Sequence, residues 1–138
     1  MFLLNNNIIN WNSILQKTVA LSSCESEYIA IKEAIRESIY LNNIVDYFNK
    51  FNHKTNNRTP IILTDSESAI KLANNPEFHK RSKYIDITYY FIREAISDKK
   101  AKLIYVNTKR QLADSFTKGL DNTKYKTFIE SLRLRNKF

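Results

Sequence analysis

Glycine occurs once and proline twice in these 138 residues, and Cys24 is the single cysteine. So little glycine and proline argues against many tight hairpins and for helices joined by polar connections, with asparagine-rich stretches supplying the turns. A lone cysteine closes no internal disulfide, and with only His53 and His79 beside it no Cys/His spacing matches a zinc site. This predicts a chain kept in a reducing compartment, without structural zinc and without a nucleophilic Cys/His pair. Long apolar runs are also lacking: the opening Met1-Phe2-Leu3-Leu4 is too short for a signal peptide or a membrane span and has no basic leader. The expectation is an intracellular protein, cytoplasmic or nuclear, with no membrane partner.

What the chain does have is 43% hydrophobic residues, enough for one core, so residues 1–138 are expected to form a single domain. Twenty-two Lys and Arg against 14 Asp and Glu give a net charge of +8. Such an excess draws polyanions by long-range attraction, which makes nucleic acid a natural partner. A composition biased to Asn, Lys and Ile gives the same charge without any such partner, and the charge alone does not separate the two.

Phe2 to Leu4 and Ile8 to Trp11, around Asn5-Asn6-Asn7, read as two short strands on an Asn turn, and Thr18 to Leu21 as a third extended piece. Ser22 and Glu25 have capping-box spacing ahead of a helix from Cys24 to Phe48, on which Ile31, Ala34, Leu41, Val45 and Phe48 form one apolar stripe. Pro60 to Asp65 reads as a buried strand ending in an acid. Ser66 to Asn74 is a short helix stopped before Pro76. After the basic loop Phe78 to Lys83 come a helix from Tyr84 to Ser97, with Ile85, Tyr89 and Ile92 on one face, and a strand from Lys102 to Val106. Thr108 and Gln111 again have capping-box spacing, which predicts a helix from Lys109 to Lys118 closed by a left-handed Gly119. Thr123 to Leu134 is a last amphipathic helix before a basic tail. Interleaved strands and helices without a repeat or linker predict one mixed α/β layer structure.

Three acids are candidates for chemistry. Asp65 ends a strand and precedes a helix, where open α/β sheets place ligand-binding groups, although capping that helix is an equally ordinary task for Asp. Glu27 falls four residues before Ile31, at the end of the core stripe, whereas Glu25 lies roughly 200° away and reads as the capping acid. Glu27 is therefore the better functional candidate, against the bland reading of a stripe-edge Glu that reaches water. Asp114 lies off the apolar face and alone reads as solvated. Together the three carboxylates offer oxygen ligands of the kind Mg²⁺ prefers, as two-metal phosphodiester hydrolysis needs. Lys80, Arg81 and Lys83 make a plausible phosphate clamp, or else a solvated loop. Trp11 and the tyrosines offer faces for base stacking, although Tyr84 and Tyr89, at helical spacing, read better as core.

Four stretches resemble signatures of one family, in order along nearly the whole chain. Val19-Ala20-Leu21-Ser22-Ser23-Cys24-Glu25-Ser26-Glu27-Tyr28-Ile29-Ala30 is similar to its SSTEAEYIA motif. Leu63 to Ala69, Asn75 to Ile87 and Gln111 to Lys118 match its later motifs. The family is the ribonuclease H domain of copia-type retrotransposon Pol polyproteins. The resemblance implies an α/β fold with a ribonuclease H-like mixed sheet flanked by helices. It also implies cleavage of the RNA strand of RNA–DNA hybrids with two Mg²⁺ or Mn²⁺ ions, and reverse transcriptase upstream in the same polyprotein. It puts metal-binding acids at Glu27, Asp65 and Asp114, and a first Asp on a central strand that would pair with Phe2–Leu4 on one side and Pro60–Thr64 on the other. No Asp or Glu precedes Glu25, so the expectation is a domain lacking that strand and impaired in catalysis, or a non-catalytic nucleic-acid-binding remnant. Two positions depart from the family pattern: Tyr84 replaces the His of Lys-His-Ile-Asp, and Tyr90 replaces a second His.

Overall fold

The structure is a computed structural model describing residues 1–53, 58–75, 83–117 and 119–132, with the backbone alone at 83–86. The chain gathers into two compact units, one of residues 1–18 with 108–138 and one of residues 19–107.

In the first unit, strands β1 (Phe2–Leu4) and β2 (Asn7–Asn10) pair antiparallel. They are joined through Asn5 and Asn6, whose φ angles of 51° and 63° both fall in the left-handed region. A two-residue hairpin that matches strand twist needs this conformation twice, and Asn is the side chain after Gly that tolerates it best. Trp11, just beyond β2, stacks on Phe116 with ring centroids 5.4 Å apart, and Phe116 meets Phe128 edge-on at 5.3 Å. Phe128 belongs to helix α4 (Asn122–Ser131), which Asp121 caps by accepting a 2.8 Å hydrogen bond from the Lys124 amide.

The segment between Thr108 and Thr117 departs from expectation. Instead of an α-helix it forms two 3-10 turns, Thr108–Arg110 and Leu112–Phe116. Hydrogen bonds span three residues, from Gln111 to Thr108, Asp114 to Gln111 and Thr117 to Asp114. Gln111 supplies no side-chain cap, and Asp, Ser and Thr compete with the helical backbone for its own bonds, so the four-residue ladder does not start. Gly119 is not left-handed either.

The second unit is built on helix α1 (Ser23–Phe51). Ser22 Oγ accepts from the Glu25 amide at 3.2 Å, and the Glu25 carboxylate accepts from the Leu21 amide at 2.8 Å, one residue earlier than the capping box predicts. The fully buried residues of α1 are Tyr28, Ile31, Ile35 and Ser38; Ala34, Leu41 and Val45 of the expected stripe are half-buried, and Phe48 is exposed. Buried Ser38 donates its hydroxyl to the Ile35 carbonyl at 2.8 Å, which satisfies it within the helix. Strand β3 (Ile61–Thr64), helix α2 (Glu67–Asn74), helix α3 (Lys83–Ser97) and strand β4 (Lys102–Tyr105) follow, and β3 pairs parallel to β4. Ile62, Ala69, Ala73, Ile92, Ala95 and Ala101 close the core against α1.

The described strands thus form two separate pairs, one antiparallel and one parallel, rather than one mixed sheet. Among the described residues Phe2–Leu4 pairs with Asn7–Asn10 and Ile61–Thr64 with Lys102–Tyr105. Thr18 to Leu21 forms no strand, and Val19 and Leu21 are exposed. The expected buried strand is buried on one face: Ile62 and Thr64 are buried while Ile61 is 57% and Leu63 52% exposed.

Helix α3 ends at Lys99, whose φ is 57°, with the Lys100 amide bonded to the Ala95 carbonyl at 2.8 Å and the Lys99 amide to Ile96 at 3.0 Å. This is the double closure for which glycine is the usual left-handed residue. Lys99→Gly is expected to stabilise the fold by about 0.5–1 kcal/mol, read from urea denaturation. The cap bond from the Lys124 amide, first among the causes, holds the Asp121 carboxyl below its ordinary pKa. Because the folded value is the lower one, the stabilisation is present above the unfolded pKa and lost as pH falls through the folded one. Protection of the α4 amides should weaken over that acid window, and in Asp121→Asn the window should disappear.

Candidate functional site

Asp65 stands immediately after β3, at the carboxyl end of the parallel pair, and is half-buried. It does not cap α2. That task falls to Ser66, whose Oγ accepts from the Ala69 amide at 3.2 Å, while the Ser66 amide donates to Thr64 Oγ1 at 3.2 Å. The Asp65 carboxylate is thereby held at a strand end without serving the helix that follows, and the capping reading of this residue is overturned.

Glu27 lies in the first turns of α1 and is exposed. Its neighbour Tyr28 takes the inward position, only 2% exposed, with its ring 4.5 Å from that of Tyr89 on α3. One residue is about 100° of helix rotation, so seating Tyr28 in the core leaves Glu27 at the rim. Glu25 is occupied in closing the N-terminus of α1. Helix α1 packs on β3, so Glu27 and Asp65 sit on elements in contact within one unit.

Asp114 belongs to the other unit, half-buried in the second 3-10 turn, where its carbonyl accepts from the Thr117 amide at 3.1 Å and the Thr117 hydroxyl at 3.0 Å. Lys80 and Arg81 lie outside the described residues, and Lys83 opens α3 with only its backbone described.

Carboxylate oxygens suit Mg²⁺ or Mn²⁺ by donor chemistry. In placement, no three His, Cys, Asp or Glu side chains gather into a metal-holding group among the described residues of either unit. The described residues do not by themselves build a metal centre.

Tyr28 was not among the residues singled out from sequence, although it continues the Ile31 and Ile35 face by three and seven residues. Its phenol oxygen is buried without a hydrogen-bond partner, as is Nε of Arg93. Burial drives the phenol well above its ordinary pKa, the Arg93 charge opposing, so the group stays neutral at physiological pH. Tyr89, expected in the core, is half-buried against it. Trp11 packs on Phe116 rather than standing apart.

No family model matches the chain, and no solved structure matches it. Curated sequences do. The retrovirus-related Pol polyprotein from transposon TNT 1-94 of Nicotiana tabacum is 35% identical over 125 residues, covering 91% of this chain and 9% of the relative. That from transposon RE1 of Arabidopsis thaliana is 33% identical over 124 residues, 90% of this chain and 8% of the relative. The transposon Ty1-NL2 Gag-Pol polyprotein of Saccharomyces cerevisiae is 32% identical over 124 residues, 87% of this chain and 7% of the relative.

The division of labour between Ser66 and Asp65 is directly testable. Ser66→Ala should cost about 1 kcal/mol in thermal or urea unfolding by removing the cap, whereas Asp65→Asn should change stability by less than about 0.5 kcal/mol. A larger loss for Asp65→Asn than for Ser66→Ala would return Asp65 to a structural role. The homologues of this chain are retrotransposon Pol polyproteins, of whose length it spans less than a tenth.

Proposed function

We propose that this chain is the ribonuclease H portion of a retrotransposon Pol polyprotein, acting on the RNA strand of RNA–DNA hybrids made by an upstream reverse transcriptase, in the cytoplasm or nucleus. The observation that carries the reading is Asp65: it lies in one of four motifs matched in order, and it ends a parallel strand free of the capping task that would otherwise explain it. Glu27, exposed on the helix that packs on that strand, supports it.

In this reading Glu27, Asp65 and Asp114 supply oxygen ligands, and Lys80, Arg81 and Lys83 neutralise phosphates of the hybrid. Bound Mg²⁺ or Mn²⁺ would polarise the scissile phosphate and lower the pKa of an attacking water. The resemblance gives the site a fourth acid, on a strand not contained in these 138 residues. A second reading is a nucleic-acid-binding remnant without catalysis, for which the absence of any Asp or Glu ahead of Glu25 speaks.

The 138 residues alone should show no Mg²⁺-dependent cleavage of a hybrid, and joining a strand that bears Asp ahead of Phe2 should bring cleavage. Removing an outer-shell partner of a metal ligand already costs 10–100-fold, so Asp65→Asn in the extended chain should lower the rate by at least roughly 100-fold. Hybrid binding without cleavage by the extended chain would establish the remnant instead. Cleavage by the 138 residues alone, abolished by Asp65→Asn, would mean that another group replaces the fourth acid. Changing Lys80, Arg81 and Lys83 together to Ala should reduce the slope of log affinity against log salt by about 2 to 3.

A further inference from the structure

The face of α1 that is buried at Ile31, Ile35 and Ser38 continues half-buried through Asn42, Val45 and Asn49, and the opposite face of this second half, which runs about 20 Å from Ser38 to Phe51, is open and apolar. On this second half, Tyr40 is 60%, Ile44 37%, Tyr47 69% and Phe51 79% exposed. Spaced by four, three and four residues, the four side chains fall within about 60° of one another around the helix, a narrow seam of the kind by which two helices pack together. Phe48, also exposed, borders the seam with its ring edge-on to Tyr47 at 5.9 Å.

We propose that this seam is the contact surface of a homodimer in which α1 packs antiparallel on α1 of a second copy. The four-three-four spacing reads the same in both directions. A twofold axis crossing the helix between Ile44 and Tyr47 therefore sets Tyr40 against Phe51 of the second copy and Ile44 against its Tyr47, the self-complementary arrangement that a twofold contact requires. Charge selects the direction. One turn ahead of the seam the same face carries Glu33 and Glu37, and a parallel pair would bring these acids against their own copies. The antiparallel pair carries them past the end of the facing seam.

The area suffices. At the exposures given, four aromatic side chains and one isoleucine present about 500–600 Å² of apolar surface, at the upper end of what a monomer leaves open. Covering it on both copies removes about 1,000–1,200 Å², the threshold of a specific interface. An interface of that size holds weakly, with association in the micromolar range.

Sedimentation equilibrium of the 138-residue chain should show a monomer–dimer equilibrium between about 1 and 100 μM. Tyr47→Lys should shift it to monomer, with the thermal unfolding midpoint retained because Tyr47 is not part of the core. Direction is read by cross-linking in the Cys24→Ser background. A mixture of Tyr40→Cys and Phe51→Cys chains should form a disulfide on mild oxidation, while neither chain should do so alone. Persistence as a monomer to about 100 μM overturns the proposal, as does a dimer indifferent to Tyr47→Lys. Self-cross-linking of the Phe51→Cys chain alone overturns the antiparallel arrangement and with it the proposal.

Discussion

Among the described residues, Ile35 on α1 and Ile92 on α3 are the two large side chains sealed completely from water, and the core of unit 19–107 gathers around them. Burying an isoleucine contributes about 1.5–3 kcal/mol, so this pair and its neighbours Tyr28, Ile31 and Ile62 supply much of what opposes chain entropy there. The elements come close because Ala69, Ala73, Ala95 and Ala101 occupy the facing positions and leave room for large residues from α1. Close approach fixes the rotation of α1 about its axis. That rotation turns Tyr28 inward and Glu27 outward, so the packing of the core decides which acid of the helix faces solvent.

Strong local signals in the sequence carried through to the structure. The Asn5-Asn6 turn, the Ser22 cap and the short strand just before Asp65 each depend on chemistry within a few residues. What was not legible depended on remote partners or on competition between similar states. The α1 stripe was drawn through Phe48 because periodicity continues to Phe51. In the structure full burial ends at Ser38, Leu41 and Val45 are half-buried, and Phe48 is exposed. Thr108 to Thr117 has the spacing of a capped helix, yet side chains that favour turns leave it as 3-10. A left-handed closure not anticipated from the sequence follows α3 at Lys99, where the packing of α3 overrides the preference for glycine.

The charge pairs described here lie at the surface. The ion pairs Arg36–Glu33, Lys100–Asp98 and Lys124–Asp121 are all between exposed or half-exposed side chains, so each contributes little to stability. The net charge of +8 is therefore not consumed in holding the fold and remains available to attract anions. Two of the polar groups that lie inside are satisfied locally, Ser38 by its own helix and Thr64 by the Ser66 amide, whereas the Tyr28 phenol and Arg93 Nε are buried without a partner.

A common device accompanies the three candidate acids in spite of their different backbones. Glu27 is followed by Tyr28, buried against Tyr89; Asp65 is preceded by Thr64, only 3% exposed; Asp114 lies two residues before Phe116, which is gripped between Trp11 and Phe128. In each case a packed side chain within two residues fixes the backbone, and the carboxylate inherits that rigidity without being drawn into the core itself. A charge placed this way keeps its hydration and avoids the cost of burial, while its position varies little. The neighbours of these acids, more than the acids themselves, thus govern their placement.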